Sequence, residues 1–314
     1  MTALDAETRA GTTPDAPARR AGRRSRSLTH HPLMGVLLIS PAIALVSFFA
    51  LVPLAFAMYI SVTNWPLIGE YRFIGLANYV QGLQDPGMWK ALRYTLIYTA
   101  IVTAPILLLG YGLAVLVRAN RTGATVLRTI FFIPYVVGLT TLSYMLVLEA
   151  QPDSGALNRI LKAVGLTDGT TAWLLDGPLA TILLSALVIW AVPGLTMILL
   201  SAMQGVPSEV YEAADIDGAS WLRRELSVTA PIIRPAIGMS LIISVIGSFL
   251  AFNQFYILTK GGPGTDTMTI VGFIYNRAFV ELQLGSATAI SLILVVFTAL
   301  ITIVQFVMLR GSDR

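Results

Sequence analysis

Six stretches of this chain carry no acidic or basic residue, and their lengths constrain the fold more than any other feature. They are residues 33–69, 94–117, 129–148, 177–208, 235–259 and 282–309. Each is about 20 residues or longer, enough for a helix rising ~1.5 Å per residue to cross a hydrocarbon layer ~30 Å thick. A large soluble core could hide one or two such runs, but hardly six. Composition agrees, since 12% of the residues are charged where a soluble domain has roughly a quarter. The expectation is an all-α polytopic membrane protein with six transmembrane helices across residues 33–310.

The net charge of +4 and the pI near 9.4 could suggest a nucleic-acid partner. The placement of the positive charges points to membrane orientation instead. With a cytoplasmic N-terminus, six spans put 14 of the 21 Lys and Arg residues on one side. These are the arginines of the N-terminal tail, then Arg118, Arg121, Arg128, Arg223, Arg224, Arg234, Arg310 and Arg314. The other side holds 7, namely Arg72, Lys90, Arg93, Arg159, Lys162, Lys260 and Arg277. That asymmetry obeys the positive-inside rule, so both termini are expected in the cytoplasm and no nucleic acid is needed to explain the charge.

Residues 1–32 are rich in Ala, Thr, Pro and Arg and poor in large apolar groups, so they read as a disordered basic tail. Residues 311–314 read as a short C-terminal tail. Arginine pairs before an apolar run could mark a signal peptide, but residues 33–62 are about twice as long as a signal core and no small-residue cleavage site follows. Thirty helical residues would reach ~45 Å, so the first span should tilt, bend near Pro53 or begin in the interface. Pro105, Pro134 and the Pro193-Gly194 pair interrupt the second, third and fourth spans. Freed backbone groups in lipid need partners, so such breaks fit either helix contacts or the lining of a translocation path. Between the third and fourth spans, residues 149–176 read as a short helix over 158–164 that stops at Gly165, too small for a catalytic domain.

Hydrolysis of ATP by this chain would require a glycine-rich cradle ending in Gly-Lys-Ser/Thr. The lysines are Lys90, Lys162 and Lys260, and none follows a glycine. The charge-free spans lack the ionisable groups with which pumps and secondary carriers relay protons or bind cations. His30 and His31 sit at the membrane edge beside the basic tail and read as interfacial rather than metal-ligating. No cysteine occurs, and no serine–histidine pair, intramembrane carboxylate pair or metal-spaced histidine pair is found. Neither catalysis, a metal site nor a bound cofactor is expected of this chain.

The segment 203–234 is the most distinctive polar stretch. Pro207 and Ser208 suit a helix start, with Glu209 and Glu212 near the positive end of its dipole. Val210, Ala213 and Ala214 share one small apolar face that would admit a partner surface. Asp217-Gly218 supplies a turn, residues 219–226 can form a second short helix, and Pro231 and Pro235 return the chain to the membrane. Such a unit is either a structured loop or a docking element.

Glu212, Ala213, Ala214, Gly218 and Pro231 fall in the register Glu-Ala-Ala, three residues, Gly, nine residues, Ile, one residue, Leu-Pro, with Val228 replacing Ile and Ala230 replacing Leu. The loop thus resembles the signature loop (EAA motif) of the membrane subunits of binding-protein-dependent ABC importers. Phe-Ile-Gly-Leu-Ala-Asn-Tyr at 73–79, Trp173-Leu-Leu, Leu-Thr-Lys-Gly-Gly-Pro at 258–263 and Ile-Tyr-Asn-Arg-Ala-Phe at 274–279 are similar to the carbohydrate branch of that family. Within it they look like the first permease type, as in maltose and glycerol-phosphate importers. Asn253 departs from the acidic residue that many relatives carry there. The resemblance covers roughly residues 33–310 and implies the ABC type I importer permease fold in the cytoplasmic membrane. It also implies a second permease subunit, two ATP-binding subunits that use ATP and Mg, and an extracytoplasmic solute-binding protein. It assigns Glu212, Ala213, Ala214, Asp217, Gly218, Trp221 and Pro231 to coupling with the ATPase, Glu212 as a contact, Gly218 as a turn and Trp221 as an apolar plug.

The implied activity is translocation of a mono- or oligosaccharide by alternating access, with import of glycerol phosphate or a polyol, or a secondary carrier or channel, as alternatives. Tyr98, Tyr144, Asn253, Gln254 and Tyr256 are the candidate sugar contacts. Sugar hydroxyls pair with amides and ring faces stack on aromatics without any charge. The same side chains could equally serve as interhelical hydrogen-bonding groups.

Overall fold

The computed structural model describes residues 32–66, 69–118, 123–191 and 193–311. The expected N-terminal tail with its arginine pairs, His30 and His31, and the C-terminal tail from residue 312 lie outside the described residues. The chain divides into two compact units, one ending at Pro53 and one running from Leu54.

In the first unit, α1 (Pro32–Val46) passes into a π turn over Ser47–Leu51. The widened turn ends just ahead of Pro53, which has no N–H for the carbonyl of Phe49. α2 (Val52–Ser61), which from Leu54 belongs to the second unit, completes an apolar stretch, Val36–Ser61, of mean hydropathy 2.4.

In the second unit the chain continues through α3 (Ala77–Gln84), α4 (Pro86–Arg118), α5 (Ala124–Val137), α6 (Leu139–Glu149) and α7 (Ala156–Ala163). Next come α8 (Gly177–Trp190), α9 (Pro193–Gln204), α10 (Ser208–Ile216) and α11 (Trp221–Arg224). A second π turn, Glu225–Thr229, leads to α12 (Ala230–Ile232), α13 (Arg234–Phe249) and α14 (Asn253–Leu258). The last elements are α15 (Ile270–Tyr275), a π turn over Asn276–Val280, and α16 (Leu284–Gly311). Among the described residues five helices are long and apolar enough to cross a membrane, or six if the bent α5–α6 pair counts as one span.

α4 is the central post. Its buried residues recur at helical spacing, from Met88 and Leu92 through Tyr98, Val102 and Ile106 to Ala114 and Val117. It therefore contributes to each of the three apolar clusters stacked along its length. Around it pack α8, α9, α13 and α15. α16 instead leaves Val295, Leu300, Val304 and Met308 exposed, an apolar surface that suits lipid or a partner helix.

The motif at 73–79 closes the end of the first span. Asn78 is buried and its Nδ2 donates to the Ser61 carbonyl at 2.8 Å and to the Thr63 carbonyl at 2.7 Å, satisfying acceptors that a helix C-terminus leaves open. Tyr79 Oη pairs with Ser61 Oγ at 2.7 Å. Close approach completes the joint, because a Cβ on Gly285 would lie 2.0 Å from the Thr63 carbonyl oxygen.

The breaks differ in part from the sequence expectation. α4 runs through Pro105 and α5 through Pro134 without ending. The third span breaks at Gly138, where the chain turns by 92° with φ +84°, a backbone region open to glycine. In the fourth span α8 ends at Trp190 with Ala191 in a turn and α9 is described from Pro193, and the fifth breaks between Leu250 and Asn253, where no proline or glycine stands.

Candidate functional site

The three helix breaks meet at one cleft of about 740 Å³. Gly138 lines it from the α5–α6 break, Ala191 and Gly194 from the α8–α9 break, and Phe252 and Asn253 from the α13–α14 break. Uninterrupted α4 supplies the facing wall with Tyr98 and Ile106. Irregular backbone at membrane depth is tolerated where it is buried in protein or lines a cavity, and here all three breaks line the same one.

The cleft's polar groups are neutral. Gln254, 4% exposed, donates from Nε2 to Tyr98 Oη at 3.4 Å, while Asn253 beside it is exposed into the cleft. Ser244 and Ser248, one turn apart on α13, add hydroxyls, and Ser244 Oγ is buried without a hydrogen-bond partner among the described residues. Tyr135 and Phe252 add aromatic faces. Among the described residues no acidic or basic side chain and no histidine lines the cleft. Phe252 also begins an aromatic run, stacked on Tyr256 at 5.2 Å and followed by Tyr275 at 5.1 Å and Phe279.

Of the five sequence candidates, Tyr98, Asn253 and Gln254 line the cleft. Tyr144 does not, because the turn at Gly138 swings α6 so that this ring is 63% exposed on the outside. Tyr256 does not line the cleft either and joins the aromatic run, with its hydroxyl 3.4 Å from that of Tyr275. Tyr135, Phe252, Ser244 and Ser248 went unremarked in the sequence. The serines had a signal, since Ser240, Ser244 and Ser248 recur every four residues within a charge-free span and all three are buried.

The second candidate region is the loop after α9. α10 begins after Pro207 and ends in a Schellman turn, in which Ala219 N–H donates to the Ala214 carbonyl at 2.9 Å and Gly218 N–H to the Asp215 carbonyl at 3.1 Å. Gly218 has φ +69° and open space where a Cβ would stand. Ser220 caps α11, its Oγ accepting from Arg223 N–H at 3.4 Å.

α10 does not present Val210, Ala213 and Ala214 as one exposed face. Ala214 is buried and Val210 packs against the cluster formed by Ala114, Val117 and Met203, while Glu212 and Ala213 point outward. The inward turn follows from Tyr211, which lies against Arg118 and Arg224 and fixes the helix's rotation. The outward surface is apolar at its centre. Ile216 is 87% exposed and Trp221 59%, with Leu222 and Leu226 beside them and Asp217 and Pro231 also exposed. Among the described residues no group of three or more His, Cys, Asp or Glu is placed to hold a metal ion.

Comparison with known proteins places both regions in a family. Residues 106–314 match the family described as binding-protein-dependent transport system inner membrane component. The chain is 30% identical over 284 residues to the probable ABC transporter permease protein YurN of Bacillus subtilis, covering 88% of this chain and 96% of that one. It is 34% identical over 309 residues to the diacetylchitobiose uptake system permease protein NgcF of Streptomyces coelicolor, covering 92% and 87%. With the lactose transport system permease protein LacF of Rhizobium radiobacter it shares 31% identity over 289 residues, covering 90% and 96%. The fold matches a bacterial ABC transporter chain involved in import of the acidic polysaccharide alginate, with a TM-score of 0.75 at 20% identity over 90% of this chain and 96% of that one. The chain therefore belongs to the family of inner membrane components of binding-protein-dependent transport systems.

Proposed function

We propose that this chain is the permease subunit through which an ATP-driven importer moves a neutral sugar across the cytoplasmic membrane, with the cleft at the three helix breaks as the passage. The observation that carries this reading is the set of amide, hydroxyl and aromatic groups placed among the cleft's aliphatic lining, with no charged side chain among the described residues that line it. Such groups hydrogen-bond sugar hydroxyls and stack on ring faces, and they ask for no counter-ion. NgcF and LacF are named for diacetylchitobiose and lactose, both neutral sugars, which favours the same class here. A phosphate ester or an acidic polysaccharide would bring an anion into a cleft whose described residues offer no cation, at a large desolvation cost.

Transport then proceeds by alternating access. The exposed face around Glu212, Ile216 and Trp221 seats on an ATP-binding subunit, Gly218 sets the turn that presents it, and closure of two such subunits on ATP and Mg drives the exchange between inward- and outward-facing states. The chain itself catalyses no reaction and binds no cofactor. Its assembly includes a second permease subunit, and an extracytoplasmic binding protein delivers the sugar. Both termini and the α10–α11 loop face the cytoplasm, in keeping with the excess of Lys and Arg on that side.

The test is to purify the chain from its membranes with whatever accompanies it and to measure ATP hydrolysis with binding protein loaded with lactose, diacetylchitobiose or no sugar. Stimulation that needs one loaded binding protein and the copurified ATPase supports the reading and names the sugar. A chain that purifies alone and responds to none of them overturns it.

A further inference from the structure

The cleft and the loop are joined by one helix. α4 brings Tyr98 into the cleft wall and ends at Arg118 beside the loop, and the twenty residues between them correspond to about 30 Å of helix. At that end the contact is polar and directional rather than merely apolar. Arg118 Nη2 lies 2.5 Å from Glu225 Oε1, its Nη1 donates to Tyr211 Oη at 2.8 Å, and its guanidinium sits 4.9 Å from the centre of the Tyr211 ring. Tyr111, two turns back along α4, donates its hydroxyl to the Glu225 carbonyl at 3.0 Å. One helix thus holds α10 through Tyr211 and the π turn through both the backbone and the side chain of Glu225. Arg224 braces the loop internally, its Nη1 pairing with Asp215 at 3.0 Å.

Glu225 is 2% exposed, and its second carboxylate oxygen has no hydrogen-bond partner among the described residues. A buried ion pair of this kind adds little stability over an apolar pair of similar shape. What it supplies is geometry, because an arginine fork binds its partners in fixed directions whereas apolar surfaces slide. None of these residues belongs to the exposed face formed by Glu212, Ile216 and Trp221, so the link lies behind that face.

We propose that Arg118, Tyr211 and Glu225 are positioning residues that transmit displacement of α10 to α4, so that the loop cannot move without carrying a wall of the cleft with it. This rests on the loop being the ATPase contact and the cleft being the passage. Combining Arg118→Met with Glu225→Gln removes both charges without stranding either one. Tyr211→Phe removes only the hydroxyl.

The assay uses the copurified complex in liposomes and reports sugar transported per ATP hydrolysed, with lactose and diacetylchitobiose as probes and the loaded binding protein present. The double variant should keep its ATPase subunits and go on hydrolysing ATP, while sugar moved per ATP falls about ten-fold, within the range usual for coupling between sites. Tyr211→Phe should lower the same ratio by a smaller factor. An unchanged ratio in the double variant would overturn the link. So would loss of the ATPase with transport and hydrolysis falling together, which would make the network a support for the docking face alone. A wild-type complex that moves neither sugar on ATP would overturn the transport reading and this inference with it, whereas working wild type with an unchanged variant overturns the inference alone.

Discussion

Substitution at Gly218 separates backbone handedness from side-chain size. The residue sits at φ +69°, and a Cβ there would meet nothing within 4 Å, so no steric clash inside this chain penalises a side chain. What remains is the left-handed backbone itself, which costs a non-glycine residue about 1–2 kcal/mol, with Asn at the low end and β-branched residues above Ala. A difference of 1–2 kcal/mol is a factor of about 5–30 in population, and here it acts on the turn that presents α10 and α11 together. Gly218→Asn, →Ala and →Val should therefore lose activity in that order. Val should fall below wild type by at least the roughly ten-fold that 1.4 kcal/mol represents. The assay is ATP hydrolysis stimulated by sugar-loaded binding protein in the copurified complex, scored against the ATPase retained on the chain. If Asn fell as far as Val, or if Ala matched wild type while Leu abolished activity, side-chain size against a partner would govern this position and the backbone argument would be refuted.

Replacing Asn253 and Gln254 together by Ala removes two amides from the cleft, each worth about 0.5–1.5 kcal/mol as a hydrogen-bonding group. The half-saturating sugar concentration for uptake should rise about five- to 150-fold, and an unchanged value would remove the cleft as the passage. Gly285→Ala drives a Cβ to 2.0 Å from the Thr63 carbonyl oxygen and should cost the complex most of its folded yield. Gly112→Ala, in open space within α4, should raise the melting temperature slightly through a helix-propensity gain of up to about 1 kcal/mol; the two are compared by thermal scans of detergent-purified protein. Asn78→Ala strands the Ser61 and Thr63 carbonyls and should destabilise by about 2–4 kcal/mol in the same scan, and a shift no larger than that of Gly112→Ala would show those carbonyls satisfied by other means.

How much of this was legible in the sequence depends on the range of each interaction. Six charge-free runs named the spans because lipid tests every residue of a span against one criterion, and that test needs no neighbour. The turn at Gly218 and the end of α7 at Gly165 were legible for a similar reason, since a Schellman turn is built from residues within one helical turn of its glycine. The third break shows the limit. Pro134 was the visible breaker, yet α5 passes through it and the chain turns at Gly138, because what lies around a residue decides whether a freed backbone group can be satisfied. The break before Asn253 had no local mark at all.

The same limit holds at both candidate regions. Tyr144 and Tyr98 are alike as sequence features, each an aromatic in a charge-free run, and only the 92° turn at Gly138 puts one outside while the other stays buried at the cleft wall. Arg118 and Glu225 are 107 residues apart and read as unrelated loop charges until α4 and the π turn meet. By itself the sequence determined that this is a membrane protein of about six spans with one structured polar loop, because hydropathy and turn chemistry act residue by residue or within a single turn. Tertiary structure alone decided which breaks converge, which polar groups share the cleft and which face of α10 points outward, because those depend on distances between segments far apart along the chain.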